Sequence, residues 1–268
     1  MWQYLEYGFF NRAIVAVVLL SVCSAVIGTY IISRRLVAIS GGITHACFGG
    51  LGLGYFLGIS PVLMAALFAI GSSMGVEMLS KRFSLREDSA IAVVWALGMA
   101  LGVLFVFMTP GYVPELNAFL FGNILTVSSA DLWAFAAFAA VLGAFFFWKR
   151  RTIVAVAFDS DFAAVSGLPA RFISYAMTVL VALCIVLTIR LVGIMLLMSM
   201  MSLPMITAEV FCHRFAPIAI LSAILSLAAS LGGLFLSTVI DVPCSALIVL
   251  LMAALFLAAK LGAIFTRK

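Results

Sequence analysis

The sequence predicts an all-α integral membrane protein, one bundle of eight to nine transmembrane helices, on three observations. Of 268 residues, 66% are apolar and only 9% are charged, where a soluble domain carries about 25% charged residues. The apolar residues fall in runs of about 20, the length at which a helix crosses the hydrocarbon core. None of these runs alternates with the two-residue period of a membrane barrel. A bilayer accepts such a surface because its core asks only that backbone polar groups be paired internally.

Taken in order, the predicted spans are 13–33, 36–59, 61–80, 89–109, 131–148, 172–189, 191–211, 216–236 and 245–263. That is nine, or eight where 172–189 and 191–211 form one broken or partly re-entrant element. The hydrophilic gaps are short, so residues 1–268 read as a single domain. Leu20-Ser21-Val22-Cys23 resembles a lipoprotein cleavage site, but Val22 is too large before the cysteine. With many equally apolar runs following, the first run is a spanning helix and not a signal peptide.

Basic residues set the expected orientation. Twelve of the fifteen lysines and arginines fall on alternate turns, from Arg34-Arg35 through Lys81, Arg82 and Arg86 to Lys149-Arg150-Arg151, Arg171, Arg214 and Arg267-Lys268. Arg12, Arg190 and Lys260 are the exceptions. The expectation is a multi-pass protein of the cytoplasmic membrane, with the C-terminus in the cytoplasm and the N-terminus outside. The net charge of +5 is then topology and not affinity for nucleic acid. Arg190 falls at an external turn, where its head can snorkel to water.

Three gaps are more than simple turns. Residues 110–130 make an external segment containing Phe121-Gly122-Asn123-Ile124-Leu125. Residues 149–171 make the longest cytoplasmic piece, and within it Phe158-Asp159-Ser160-Asp161 opens, and Gly167-Leu168-Pro169 closes, what reads as a short capped helix. Ile240-Asp241-Val242-Pro243 is a tight external turn before the last helix. The five cysteines, Cys23, Cys47, Cys184, Cys212 and Cys244, have no short pair spacing, so neither a disulfide framework nor a zinc finger is expected.

Chemistry concentrates in the second span. Gly42, Ala46, Gly50, Gly54 and Gly58 recur every four residues, a small-residue stripe that admits another helix closely. His45 lies ten residues beyond Arg35, roughly 15 Å into a helix that rises 1.5 Å per residue. An ionisable group at that depth is a candidate functional site, and neutral imidazole is the commonest metal ligand in proteins. A hydrogen bond to a neighbouring helix explains it equally well. His213, beside Arg214, suits a cytoplasmic helix end, where a cation favours the dipole. Glu77 and Glu209 read as interfacial. Met195, Met198, Met200, Met201 and Met205 read as packing, and Pro204 should kink its helix and free a carbonyl. No Gly-x-x-x-x-Gly-Lys-Ser/Thr loop is present, so ATP is not expected to bind this chain in that mode. Nor does any Ser/His/Asp or His-Glu-x-x-His constellation appear, and no enzymatic activity is expected of the chain itself.

These motifs together resemble the metal-importing ABC permease family, the membrane subunits of zinc, manganese and iron uptake systems. Arg34-Arg35-Leu36 with Thr44-His45-Ala46 is similar to the family's RRL…D-x-x-x-H-A segment, and Phe121 to Leu125 to its FG(D/N)IL element. Phe158-Asp159 through Ala163 to Gly167-Leu168-Pro169 resembles FD…A…GLP. Leu191-Val192-Gly193 with Leu203-Pro204 and Thr207-Ala208 resembles VG…LPAATA, and Asp241-Val242-Pro243 with Ser245 resembles D-L-P-(S/T)-G. The matches run in order over nearly the whole chain.

The resemblance implies a type II ABC importer-like permease and a homodimer with its pathway at the subunit interface. It also implies two cytoplasmic ATPase subunits that bind the ATP, and an extracytoplasmic protein that delivers the metal. On it, His45 contacts the transported ion, with Ser40, Thr44 and Cys47 as secondary candidates. Asp159, Asp161, Ala163, Gly167, Leu168 and Pro169 then belong to the element that couples to the ATPase. The family's carboxylate four residues before the histidine is Gly41 here, a change that removes a hard oxygen ligand and leans towards zinc over manganese, with ferrous iron third. The reading from another class is a secondary transporter driven by an ion gradient. Such proteins place paired charges or broken helices at the midplane of repeated halves, and the sequence shows no clear repeat and no intramembrane carboxylate near His45.

Overall fold

In a computed structural model, which describes residues 7–83, 85–111, 122 and 124–266, the regular structure is helical throughout. The helices are α1 (Gly8–Ser33), α2 (Val37–Leu57), α3 (Pro61–Phe83), α4 (Glu87–Met108), α5 (Ser129–Phe158), α6 (Ser160–Val165), α7 (Ala170–Met200), α8 (Leu203–Glu209), α9 (Phe215–Ile240) and α10 (Cys244–Thr266), with a 3-10 turn at Ile124–Thr126. Phe121 and Asn123 of the expected FGNIL element, most of the external segment, and Arg267-Lys268 lie outside the described residues.

Among the described residues, eight helices are long and apolar enough to cross a membrane, the count expected where two of the nine predicted spans form one broken element. The expected spans 172–189 and 191–211 form one 40-residue stretch, Ala170–Glu209, with no hydrophilic gap to divide them. Gly193 breaks it, with φ 79° and ψ 173°, a conformation open essentially to glycine alone. Pro204 does not kink a running helix. The chain turns at Met201-Ser202 and Pro204 sits in the first turn of α8, where its missing N–H costs nothing. A second correction concerns 149–158, expected as a connecting piece: it continues α5 across a kink at Lys149.

The chain forms two compact units. The first holds residues 1–33, 116–145 and 187–268, the second residues 34–115 and 146–186. In the first unit α9 packs against α1, α8 and α10. Phe10 meets Phe235 edge-on and the Ser226 hydroxyl donates to that of Ser21, so α1 and α9 run antiparallel. Arg12 donates to the Val127 carbonyl at 3.1 Å, and Arg190 pairs with Asp131 at 2.6 Å. Arg190 therefore has a carboxylate partner at the mouth of α5 and does not simply snorkel. Met205, fifteen residues later, packs with Ala25 and Ile32 near the other end of α1. Sixteen helical residues separate Arg12 from Gly28, beside which Met201 and Met205 lie, roughly 24 Å at 1.5 Å per residue. The chain thus folds back at Gly193. Met200, Met201 and Met205 are buried, as packing residues should be, whereas Met195 is exposed and Met198 half-buried.

In the second unit α2 packs against α3 and α4 along most of its length. The glycines explain this closeness. A Cβ at Gly50 would stand 2.5 Å from the Met64 carbonyl oxygen of α3, and one at Gly49 would stand 2.8 Å from the Gly98 carbonyl oxygen of α4. One small-residue stripe was expected to admit one helix; the glycines of α2 admit two, on adjoining faces.

Candidate functional site

From Ile39 to Gly52 every residue of α2 is buried except His45. The exception is a direct result of sequence: small residues on both flanking faces draw α3 and α4 against the backbone, and the one long polar side chain is left at the edge of the contact. There its ring stacks on Trp95 of α4, with centroids 4.5 Å apart and planes 2° from parallel. Trp95 is itself 40% exposed. Stacking occupies one face of an imidazole, whereas a metal ion binds through a nitrogen lone pair in the ring plane. The arrangement therefore orients His45 without blocking its ligating edge.

The secondary candidates are not gathered around it. Ser40 donates its hydroxyl to the Val37 carbonyl and Thr44 donates to the Ser40 carbonyl at 2.5 Å, both within their own helix. Cys47 is fully buried, and two residues on it points to the far side of a helix that turns once in 3.6 residues. Gly41 is buried as well. Among the described residues, no cluster of three or more His, Cys, Asp or Glu side chains is placed to hold a metal ion. Among the described residues, His45 is thus not part of such a cluster within one chain.

Trp95 was not legible as a site residue, because its partner lies fifty positions away. A signal existed in Gly98 and Gly102, spaced four apart on α4. Gly98 abuts Ala46 and Gly102 abuts Phe48, which fixes the parallel register that brings 95 opposite 45.

The α6 segment follows the predicted pattern closely. Asp159 is its N-cap, its side chain accepting from the backbone N–H groups of Asp161 at 3.1 Å and Phe162 at 2.8 Å. Asp161 adds a carboxylate to the first turn, where the helix dipole favours it. Ala163 is buried, Gly167 takes φ 77°, and the Leu168 N–H returns to the Ala163 carbonyl. Pro169 precedes α7 and its carbonyl accepts from the Ile173 N–H. The helix presents apolar side chains outward: Phe162 is 69% and Val165 90% exposed. His213, in the link between α8 and α9, is exposed.

The first unit contains a cavity of about 680 Å³ near the Asp241-Val242-Pro243 turn, lined also by Phe10, Met195 and Cys244.

The profile of the ABC 3 transport family matches residues 6–263. A "Probable metal transport system membrane protein" of Chlamydia pneumoniae is 35% identical over 87% of this chain and 81% of its own length. The manganese transport system membrane protein MntC of Halalkalibacterium halodurans is 29% identical over 92% of this chain and 85% of its own. The structure of PsaBC from Streptococcus pneumoniae in complex with Fab superposes with a TM-score of 0.83 at 24% identity, covering 96% of this chain and 94% of that one, a likeness of fold.

Proposed function

The chain belongs to the ABC 3 transport family, and we propose that it is the permease of an importer that carries a divalent metal ion, zinc or manganese, across the cytoplasmic membrane. The observation that carries this reading is His45, the one opening in an otherwise buried stretch of α2 and a neutral-imidazole ligand within a membrane span. A single imidazole does not hold a divalent ion. A homodimer in which two copies face each other across a two-fold axis supplies two, with the exposed flank of Trp95 at the contact, and each chain serves as one permease domain.

ATP is hydrolysed on two separate cytoplasmic subunits, which grip α6 through Phe162 and Val165 while Asp159 and the Gly167-Leu168-Pro169 stop hold that helix rigid. An extracytoplasmic protein delivers the metal. The fold-back at Gly193 supports an outside N-terminus and a cytoplasmic C-terminus, since eight uninterrupted spans would put both on one side. The manganese relative and the missing carboxylate at Gly41 pull the choice of metal in opposite directions.

Uptake of labelled zinc and manganese by metal-starved cells tests the proposal, with the permease expressed alongside its ATPase and binding protein. Uptake is expected to need ATP hydrolysis and to vanish in His45→Ala, and the preferred ion identifies the cargo. Full uptake in His45→Ala would remove the histidine from the path, and uptake without the ATPase would overturn the importer assignment.

A further inference from the structure

Glu77 lies on α3, where an interfacial carboxylate needs no special explanation, yet its two oxygens are engaged by one neighbouring helix. Oε1 accepts from the Ser174 hydroxyl at 3.0 Å and Oε2 from the Thr178 hydroxyl at 3.3 Å. Ser174 and Thr178 are four apart on α7, so the carboxylate grips two successive turns of that helix. The Ser174 oxygen, buried to 1% exposure, accepts in turn from Arg34 Nη1 at 3.1 Å. Guanidinium, hydroxyl and carboxylate form a chain across three elements, and its charged ends make each bond stronger than a neutral one.

The positions of these elements give the chain a role. Ser174 is the fifth residue of α7, and α7 follows α6 through a turn with little slack. The Ser166 N–H bonds to the Phe162 carbonyl, Gly167 to Ala164, and Leu168 to Ala163, after which Pro169 leads directly into α7. A displacement of α6 therefore moves the first turns of α7 as a body. At the other end, Arg34 stands three residues ahead of α2, and Arg35 between them is held in the left-handed conformation at φ 59°.

We infer that the Arg34–Ser174–Glu77 chain is the joint through which movement of α6 reaches α3 and the start of α2, which makes Glu77 a positioning residue for coupled transport. The inference rests on the reading of α6 as the ATPase contact. Its physical content is that hydrogen bonds to charged groups at a helix crossing are directional and hold the helices against sliding, whereas apolar attraction is non-directional.

The test uses the whole complex, with ATPase and binding protein, reconstituted in proteoliposomes and supplied with manganese or zinc, whichever it transports. Metal delivered and ATP hydrolysed are measured in the same vesicles. Glu77→Ala is expected to lower metal moved per ATP about tenfold, within the usual range of coupling between sites, while ATP hydrolysis continues. Glu77→Gln keeps an acceptor for Ser174 but not the charge, and should fall between. An unchanged ratio overturns the inference, and so does a parallel loss of both activities, which marks a merely structural residue. Should Glu77→Ala not assemble, Ser174→Ala, which removes only the bridging oxygen, is judged by the same ratio. Phe162→Ala on α6 separates the two layers of argument. If it disturbs neither ATPase association nor transport, the coupling reading itself fails. If it does disturb them and the Glu77 and Ser174 variants leave the ratio intact, only the joint fails.

Discussion

Replacing Gly193 by alanine is the sharpest test of the fold. At φ 79° and ψ 173° the residue occupies a region where a Cβ collides with the flanking carbonyls, and holding a side chain there costs of order 1–3 kcal/mol. No helical alternative relieves the strain, because continuing α7 straight would carry Met205 away from Ala25 and Ile32, where it is fully buried. The expected loss of stability is about 5- to 150-fold in the folding equilibrium. The midpoint of reversible unfolding in SDS, read by helical circular dichroism in mixed micelles, measures it. Gly143→Ala is the internal control. It is an exposed helical glycine of α5 whose added Cβ meets nothing within 4 Å, and the better helix former should stabilise by about 0.5–1 kcal/mol. Opposite signs for the two substitutions are required. A Gly193→Ala protein as stable as the parent would refute the fold-back at that residue.

Two smaller changes follow from the same geometry. Trp95→Ala removes the plate behind His45, and an aromatic stack contributes about 0.5–1.5 kcal/mol, so the KM for metal uptake should rise about two- to tenfold while Trp95→Phe stays near the parent value. Asp159→Ala removes the cap of α6 at a cost of about 1 kcal/mol. Faster proteolytic cleavage within residues 159–167 of the isolated permease should report it, and Asp159→Asn, which can still accept from both N–H groups, should not differ from the parent.

How far the sequence could be read depended on the range of the interactions. Spans and their ends were legible because hydropathy is a local property: Pro61 opens α3 and Ser33 closes α1 as expected. The capped helix at 160–165 was legible for the same reason, since Asp159 and Gly167 act within a few residues of themselves. Failures came where a distant partner decided the outcome. The boundary between two spans was expected at Arg190, yet the break falls three residues later at Gly193, whose conformation is set by where α8 must pack. Arg190 needed Asp131, 59 positions earlier, and Glu77 needed α7. His45 was singled out by its depth and by the resemblance of Thr44-His45-Ala46 to the family's segment, but its orientation depends on Trp95, which only the register of α2 on α4 reveals. The remaining ligands of a metal site are not written in one chain if a second copy provides them.

The glycines of α2 have a mechanical side as well. Most interhelical contacts are cushioned by side chains that can change rotamer, so neighbouring helices slide by small amounts without losing density. Where Gly49, Gly50 and Gly52 meet the backbones of α3 and α4 directly, no such cushion exists, and the three helices have few independent degrees of freedom. Any movement of His45 relative to the rest of the bundle must therefore swing α2, α3 and α4 together, as a lever and not as a hinge.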